Sequence, residues 1–493
     1  MEIEYEGNQG EWKKYQNTES VCPVCLKKIA AYRVMEGDRV YLDKECLEHG
    51  KFRTLIWNGL PEYESWARVK MPSYSETPSL TLNKGCPYDC GLCTEHRQKT
   101  CCVLLEVTKR CDLRCPLCFA SAGVGAEEDL TLEEIELRFK DMMKRGGPFN
   151  IQLSGGEPGM RDDLPEIIEL GRKIGFEFFQ MNTNGIRIGR DKNYIHRLAE
   201  AGLNCVFLQF DGLRDEVYRK LRGKDLLEDK LAAIEACRRE GIGVVLVPVI
   251  ARGVNVDQIG KLLDFALEQM PVVRGVHFQP LSYLGRYEGA APEERFTMPD
   301  LLREIEKQTN GRMKTRDFTP GNAENAYCSF SGNFIREKDG AISPWKNGKT
   351  TIQCYDTEVE ESCCCGIQEH EESGNDSCSE TEDTGVMESC GSSDKSRKFV
   401  ARQWSAAPEE SCCGENVNTA SLDDFLNRLE RQTLAVSCMV FMDAWNLDLE
   451  RLKECYIHVS ENRQEPRLIP FCAYNLTAAD GTTLYRNNML GEL

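Results

Sequence analysis

The chain has 493 residues, 41% hydrophobic and 29% charged, with a formal net charge of −19. It is long enough for several cores and too acidic for a nucleic-acid partner gripped through its phosphates. No stretch reaches the ~20 apolar residues of a membrane-spanning helix, and the polar N-terminus lacks the layout of a secretion signal. A cytoplasmic protein is therefore expected, and its 25 cysteines read as reduced thiols and metal ligands rather than as disulfides.

In chain order, residues 1–80 form the first expected module. VCPVCLKKI and KECLEHGKF supply Cys22, Cys25, Cys46 and His49 as a C-x2-C knuckle followed by C-x2-H. That set suits one tetrahedral mononuclear metal of zinc-ribbon or rubredoxin type, with Zn and Fe both open. Residues 81–101 hold a tight cysteine group. Residues 102–285 alternate apolar runs of strand length (LLEV, FNIQLS, FEFFQMN, NCVFLQF, GVVLVPVI, GVHFQPL) with five segments of helical spacing. Thr131 and Asn255 are expected helix N-caps, and Cys205 and Cys237 are plain core residues. Strand–helix alternation means βαβ units and a parallel sheet, so the fold class is α/β, an open, partial (β/α)6 barrel. A C-terminal extension over 286–353 follows. Residues 354–415 form an insert in which, from 355 on, 16 acidic residues face 4 basic ones, a composition that predicts disorder. Residues 416–493 resume folded sequence, with Ser421 as the expected cap of the helix SLDDFLNRLERQT.

The chemistry is carried by LLEVTKRCDLRCPLCFA, where a strand ends and Cys111, Cys115 and Cys118 follow as C-x3-C-x2-C. Three thiolates leave one iron of a [4Fe-4S] cubane without a protein ligand, whereas the usual electron-transfer pattern of four closes it. With Phe119 after the third cysteine, the segment has the signature of radical S-adenosylmethionine (SAM) enzymes, and it is identified as a member of that superfamily. The resemblance implies that SAM chelates the open iron and is reductively cleaved to a 5′-deoxyadenosyl radical. The next strand ends in Gly155-Gly156-Glu157-Pro158, similar to the loop that family members use for the SAM amino group. Asn182, Asn184, Gln209, Asp211, Pro248 and Gln279 fall at or near the carboxyl ends of later strands, where α/β sheets bind ligands.

Beyond this core the chain resembles the tetraether lipid synthase-like branch of radical SAM proteins, and most closely the TrsS (seleno)protein group. The resemblance implies an auxiliary [4Fe-4S] cluster on Cys86, Cys90, Cys93 and Cys101, with Cys102 able to replace Cys101. It also implies a C-terminal cluster on Cys438, Cys455 and Cys472, near His458, with Cys328 as fourth ligand; buried structural cysteines are the alternative there. The insert adds Cys354, Cys363, Cys364, Cys365, Cys378, Cys390, Cys412 and Cys413, which suit soft metals, persulfide or selenium chemistry.

The expected activity is radical functionalisation of an unactivated carbon in an unknown substrate, either lipid-like carbon–carbon coupling or a sulfur- or selenium-linked modification. A ferredoxin or flavodoxin would supply electrons. The competing reading is a non-catalytic iron–sulfur or thiophilic-metal protein with a vestigial core. Simple SN2 methyl transfer needs no cluster and ranks low; radical methylation would need a relay cysteine or a second cofactor.

Overall fold

The computed structural model describes residues 2–6, 12–75, 82–123, 128–287, 295–321, 323–337, 339–345, 397–398, 401, 403–406, 431–462 and 466–486. They belong to one compact unit, Met1–Trp345 with Ser392–Leu493. The second unit, Lys346–Gly391, lies outside the described residues, as do the insert cysteines and residues 421–430 of the helix expected after Ser421; its last expected residue, Thr433, opens a strand instead.

Five antiparallel strands, β1 (Glu2–Glu6), β2 (Trp12–Val21), β3 (Lys28–Glu36), β4 (Arg39–Cys46) and β5 (Gly50–Asn58), form the N-terminal sheet in sequence order. The second sheet is built on β6 (Cys102–Thr108), β7 (Asn150–Gly155), β8 (Phe179–Thr183), β9 (Cys205–Gln209), β10 (Gly243–Val247) and β12 (Val273–Pro280), with the short β11 (Val249–Ile250) beside β12. These six main strands are parallel and lie side by side in sequence order, which is the expected (β/α)6 arrangement. The connecting helices are α1 (Leu132–Lys144), α2 (Leu164–Ile174), α3 (Ile186–Arg190), α4 (Lys192–Ala201), α5 (Asp215–Arg222), α6 (Leu227–Arg239) and α7 (Ile259–Glu268).

Thr131 caps α1 in a reciprocal capping box with Glu134. Asn255 corrects its expectation. It opens a short 3-10 turn without a side-chain cap; its amide donates instead to the Asp211 and Val249 carbonyls, 2.9 and 2.7 Å away. A free amide between two strand ends is worth more as a bridge than as a cap whose N–H groups reach other acceptors.

The C-terminal third widens the sheet at both edges. β16 (Thr433–Met439) runs parallel beside β12, and β17 (Ile457–Ser460) runs parallel beside β6. Eight strands are thus parallel. Beyond them, β13 (Thr319–Pro320), β14 (Ser329–Arg336) and β15 (Ile342–Pro344) extend one side, and the antiparallel β18 (Leu468–Pro470) ends the other.

Alternation along each strand separates two environments. Ile151, Leu153, Phe179, Met181, Val206, Leu208, Val244, Leu246, Val276 and Phe278 belong to the main apolar core. Asn150, Gln152, Ser154, Gln180, Asn182, Phe207, Gln209, Val247, His277 and Gln279 face a cavity of about 300 Å³.

Candidate active site

Cys111, Cys115 and Cys118 sit in the loop after β6, partly exposed, and all three line the mouth of this cavity. The loop is pinned from several sides. Cys118 and Arg286 exchange both backbone hydrogen bonds at 2.9 Å, and the Arg286 guanidinium donates to the Cys115 and Ala122 carbonyls at 3.1 and 2.8 Å. Asn184 donates to Asp112 at 2.7 Å.

The Gly-Gly turn leans directly on that loop. Gly156 N–H donates to the Thr108 carbonyl and Glu157 N–H to the Arg110 carbonyl, at 2.7 and 2.9 Å. A Cβ on Gly155 would strike the Thr108 carbonyl and one on Gly156 the Arg110 carbonyl. Gly155 also holds φ +127°, a left-handed conformation that favours glycine. The glycines therefore serve close contact between two loops of the site.

Glu157 is buried, and both carboxylate oxygens are engaged. Oε1 accepts from Gly159 N–H and Thr183 Oγ1 at 2.8 and 2.6 Å, and Oε2 from Asn184 N–H at 2.7 Å. Burial pushes its pKa up to about 7 against these hydrogen bonds. Its local effect is to staple the loops that follow β7 and β8.

Other expected residues divide by position. Phe119, Gly155, Gly156, Glu157, Asn182, Asn184, Gln209 and Gln279 line the cavity; Pro158 and Asp211 do not. Pro158 starts a 3-10 turn. Asp211, fully buried, holds Arg222 through two hydrogen bonds of 2.8 and 2.9 Å. Arg222 lines the mouth, and the Asp211 carboxylate beside it outweighs desolvation, so its pKa is raised. Buried Lys230, which donates to the Asn184 carbonyl and to Gln209 Oε1, is pushed down to about 8 by burial.

Sequence reading named Asn182, Gln209 and Gln279 but missed Arg222, Arg286 and the other inner polar residues, Asn150, Gln152, Gln180 and His277. Arg222 sits at a helix end with no motif around it. The inner amides carried a signal in their i, i+2 spacing: Asn150-Gln152-Ser154, Gln180-Asn182 and His277-Gln279. Three of them form a chain, Gln180 donating to Asn182 at 2.7 Å and Asn182 to Gln152 at 3.3 Å. Burial lowers His277 to about 4, so its imidazole is neutral near pH 7.

Part of the insert corrects the expectation of disorder. Residues 397–398, 401 and 403–406 run beneath the amino-terminal strand ends. The Arg397 carbonyl accepts from the Asn150 amide at 3.1 Å. Trp404 packs on Phe207 and His277, with ring centroids 4.6 and 6.2 Å apart, and lines the cavity floor. The apolar RKFVARQWSAAP stretch has surface to bury that the acidic part lacks.

The cysteine sets outside the barrel fall into three places. The ligand atoms of Cys22, Cys25, Cys46 and His49 lie within 4.8 Å of one another, which suits a single tetrahedral ion. Cys86, Cys90 and Cys93 line one small cavity of about 10 Å³. Cys101 and Cys102 line the barrel cavity instead, and Cys102 Sγ accepts from Gln152 at 3.4 Å. Cys328, Cys455 and Cys472 line a third cavity of about 30 Å³ with Glu324 and Arg451; it shares Met439, Phe441, Tyr456, Ile457 and Phe471 with the barrel cavity. Cys438 is not brought into this set, because it packs among the apolar core residues of the barrel. No helix among the described residues is long and apolar enough to cross a membrane.

The sequence matches the Radical SAM superfamily over residues 105–266 and the HMPTM N-terminal zinc ribbon domain over residues 14–58. It is 34% identical over 487 residues, 93% of each chain, to a 7,8-dihydro-6-hydroxymethylpterin dimethyltransferase of Methanocaldococcus jannaschii. It is 37% identical over 186 residues, 37% of this chain and 45% of the relative, to an Fe-coproporphyrin III synthase of Methanosarcina barkeri. Among solved structures, Streptococcus suis SuiB bound to the precursor peptide SuiA covers 44% of this chain and 46% of its own, at 16% identity and a TM-score of 0.36. The family model and the two sequence relatives support the superfamily, and neither relative is named as a TrsS protein. With a relative of this identity running almost end to end, and with three thiols at the carboxyl mouth of a parallel α/β barrel, the chain belongs to the radical SAM superfamily of enzymes.

Proposed function

We propose that the chain methylates carbon on a flat, uncharged nitrogen heterocycle of the pterin kind, the deoxyadenosyl radical taking a hydrogen atom and a second SAM supplying the methyl group by way of a relay cysteine or a second cofactor, with S-adenosylhomocysteine as the leaving product. The observation that carries this reading is the cavity wall. Asn150, Gln152, Gln180, Asn182, Gln209 and Gln279, with neutral His277, point inward between the aromatic floor at Trp404 and the thiols at the mouth. Such a wall offers paired donors and acceptors to a ring carrying both. A sulfur- or selenium-linked reaction would draw on insert cysteines, all outside the described residues. The relative's name points to methyl transfer and to a pterin.

In this reading Cys111, Cys115 and Cys118 hold the [4Fe-4S] cluster. Reduced in the presence of SAM, that group supplies the 5′-deoxyadenosyl radical. The protein's own part is positional. Gly155 and Gly156 set the loop against the cysteine loop, Arg222, fixed by Asp211, is the cation at the mouth that would pair with the SAM carboxylate, and Phe119 packs on Phe471 at 5.4 Å over the mouth. Asn182, Asn184, Gln209 and Gln279 bind SAM or substrate, while Pro158 and Asp211 act by positioning. We further assign auxiliary clusters to Cys86, Cys90 and Cys93 and to Cys328, Cys455 and Cys472, zinc to the N-terminal site, and a ferredoxin or flavodoxin as electron donor.

The test is to incubate the reconstituted, reduced protein with SAM and 6-hydroxymethyl-7,8-dihydropterin and follow the pterin by mass spectrometry. A gain of one or two methylene units is expected. An unchanged pterin, with deoxyadenosine production no higher than without it, refutes the substrate class.

A further inference from the structure

We propose that His96 is the fourth protein ligand of the iron–sulfur cluster assigned to Cys86, Cys90 and Cys93, and that it binds through Nδ1. The inference rests on that cluster assignment. His96 follows Cys93 by one turn, its N–H donating to the Cys93 carbonyl at 3.0 Å, and it lines the same small cavity as the three thiols. The ring is buried at 6% exposure. Its Nε2 lies 2.7 Å from the Cys455 carbonyl oxygen. A carbonyl can only accept, so Nε2 carries the proton and Nδ1 carries the lone pair. Among the described residues Nδ1 makes no hydrogen bond. Metal-binding histidines share this arrangement, one nitrogen donating to a backbone carbonyl and the other free for the metal. His458 stands edge-on to the ring with centroids 5.1 Å apart and limits its rotation. The rival thiol, Cys101, donates its backbone N–H to the Tyr456 carbonyl at 2.9 Å and lines the barrel cavity, not this one.

A neutral imidazole in place of a thiolate removes one negative charge from the cluster and raises its reduction potential. The experiment uses the full-length protein with Cys111→Ala/Cys115→Ala/Cys118→Ala and Cys328→Ala/Cys455→Ala/Cys472→Ala, so that the cluster on Cys86, Cys90 and Cys93 is the one left to observe, reconstituted with iron and sulfide and reduced with dithionite. It is prepared with natural and with 15N-labelled histidine, and nitrogen hyperfine coupling is measured by pulsed EPR on the reduced cluster signal. The expected result is an imidazole coupling that changes with the isotope, disappears in His96→Cys, and gives way there to a lower midpoint potential at unchanged iron content. A cluster signal without imidazole coupling, or a coupling that survives His96→Cys, overturns the ligand alone. A protein that holds no cluster overturns both the ligand and the cluster assignment.

Discussion

Glu157 shows how a motif residue can be legible in type and unexpected in action. The GGEP loop was visible from sequence, but its carboxylate is spent on Gly159, Thr183 and Asn184. Its pKa rises from 4.5 to about 7 on burial. Between those values the folded chain keeps a proton that the unfolded chain has released, so stability falls as pH rises from about 4.5 to about 7. The loss amounts to about 3 kcal/mol over that window. Denaturant midpoints at pH 5 and pH 8 should therefore differ in the parent, and Glu157→Gln should remove most of the difference; an equal slope in both proteins refutes the assignment. Gly156 makes a second test. Gly156→Ala drives a methyl into the Arg110 carbonyl and displaces the cysteine loop. It is expected to abolish the SAM-induced change in the cluster EPR spectrum while the N-terminal metal stays bound.

At the scale of elements, the six parallel strands were readable because each is a short apolar run between turn signals, and their order follows from chain order. The strands beyond them were not. β16 and β17 come from cysteine-bearing segments that looked like cluster loops, and their parallel partners in the barrel lie more than 150 residues away in sequence, Gly275 with Ala435 and Cys102 with Ile457. The polar lining was half-readable, since inward and outward rows alternate at a period of two but the outward apolar row dominates any hydropathy count. The floor segment was hidden by its acidic neighbours. Trp404→Ala should open the bottom of the cavity to water. Loss of a contact worth about 1 kcal/mol or somewhat more should raise the KM for the heterocycle by up to about tenfold and increase deoxyadenosine formed per product. A product ratio unchanged from the parent would show that Trp404 is not part of the substrate's enclosure.

At the scale of the whole molecule, the N-terminal sheet is fastened to the C-terminal segment rather than tethered to the barrel by a linker. Arg33 donates to Asp448 at 2.6 and 3.0 Å, Thr18 donates to the same carboxylate at 2.8 Å, and the Lys44 ammonium reaches the Ala444 carbonyl at 2.6 Å. Burial alone would raise the Asp448 pKa, and the Arg33 guanidinium holds it below the usual carboxylate range. Arg33→Ala leaves that buried charge short of its partner and should cost about 3–5 kcal/mol, most of it recovered in Arg33→Met/Asp448→Leu; thermal melts of the two variants check this. The whole assembly places three thiols over a cavity with one amide-bearing wall, where SAM is expected to be cleaved for a heterocyclic substrate. The most direct measurement is 5′-deoxyadenosine produced by the reconstituted, dithionite-reduced protein with SAM, with and without 6-hydroxymethyl-7,8-dihydropterin, beside Cys111→Ala/Cys115→Ala/Cys118→Ala. The expected result is deoxyadenosine from the parent, increased by the dihydropterin and absent from the variant. Equal yields from parent and variant, or none from a parent fully loaded with iron and sulfide and given the dihydropterin, would contradict it.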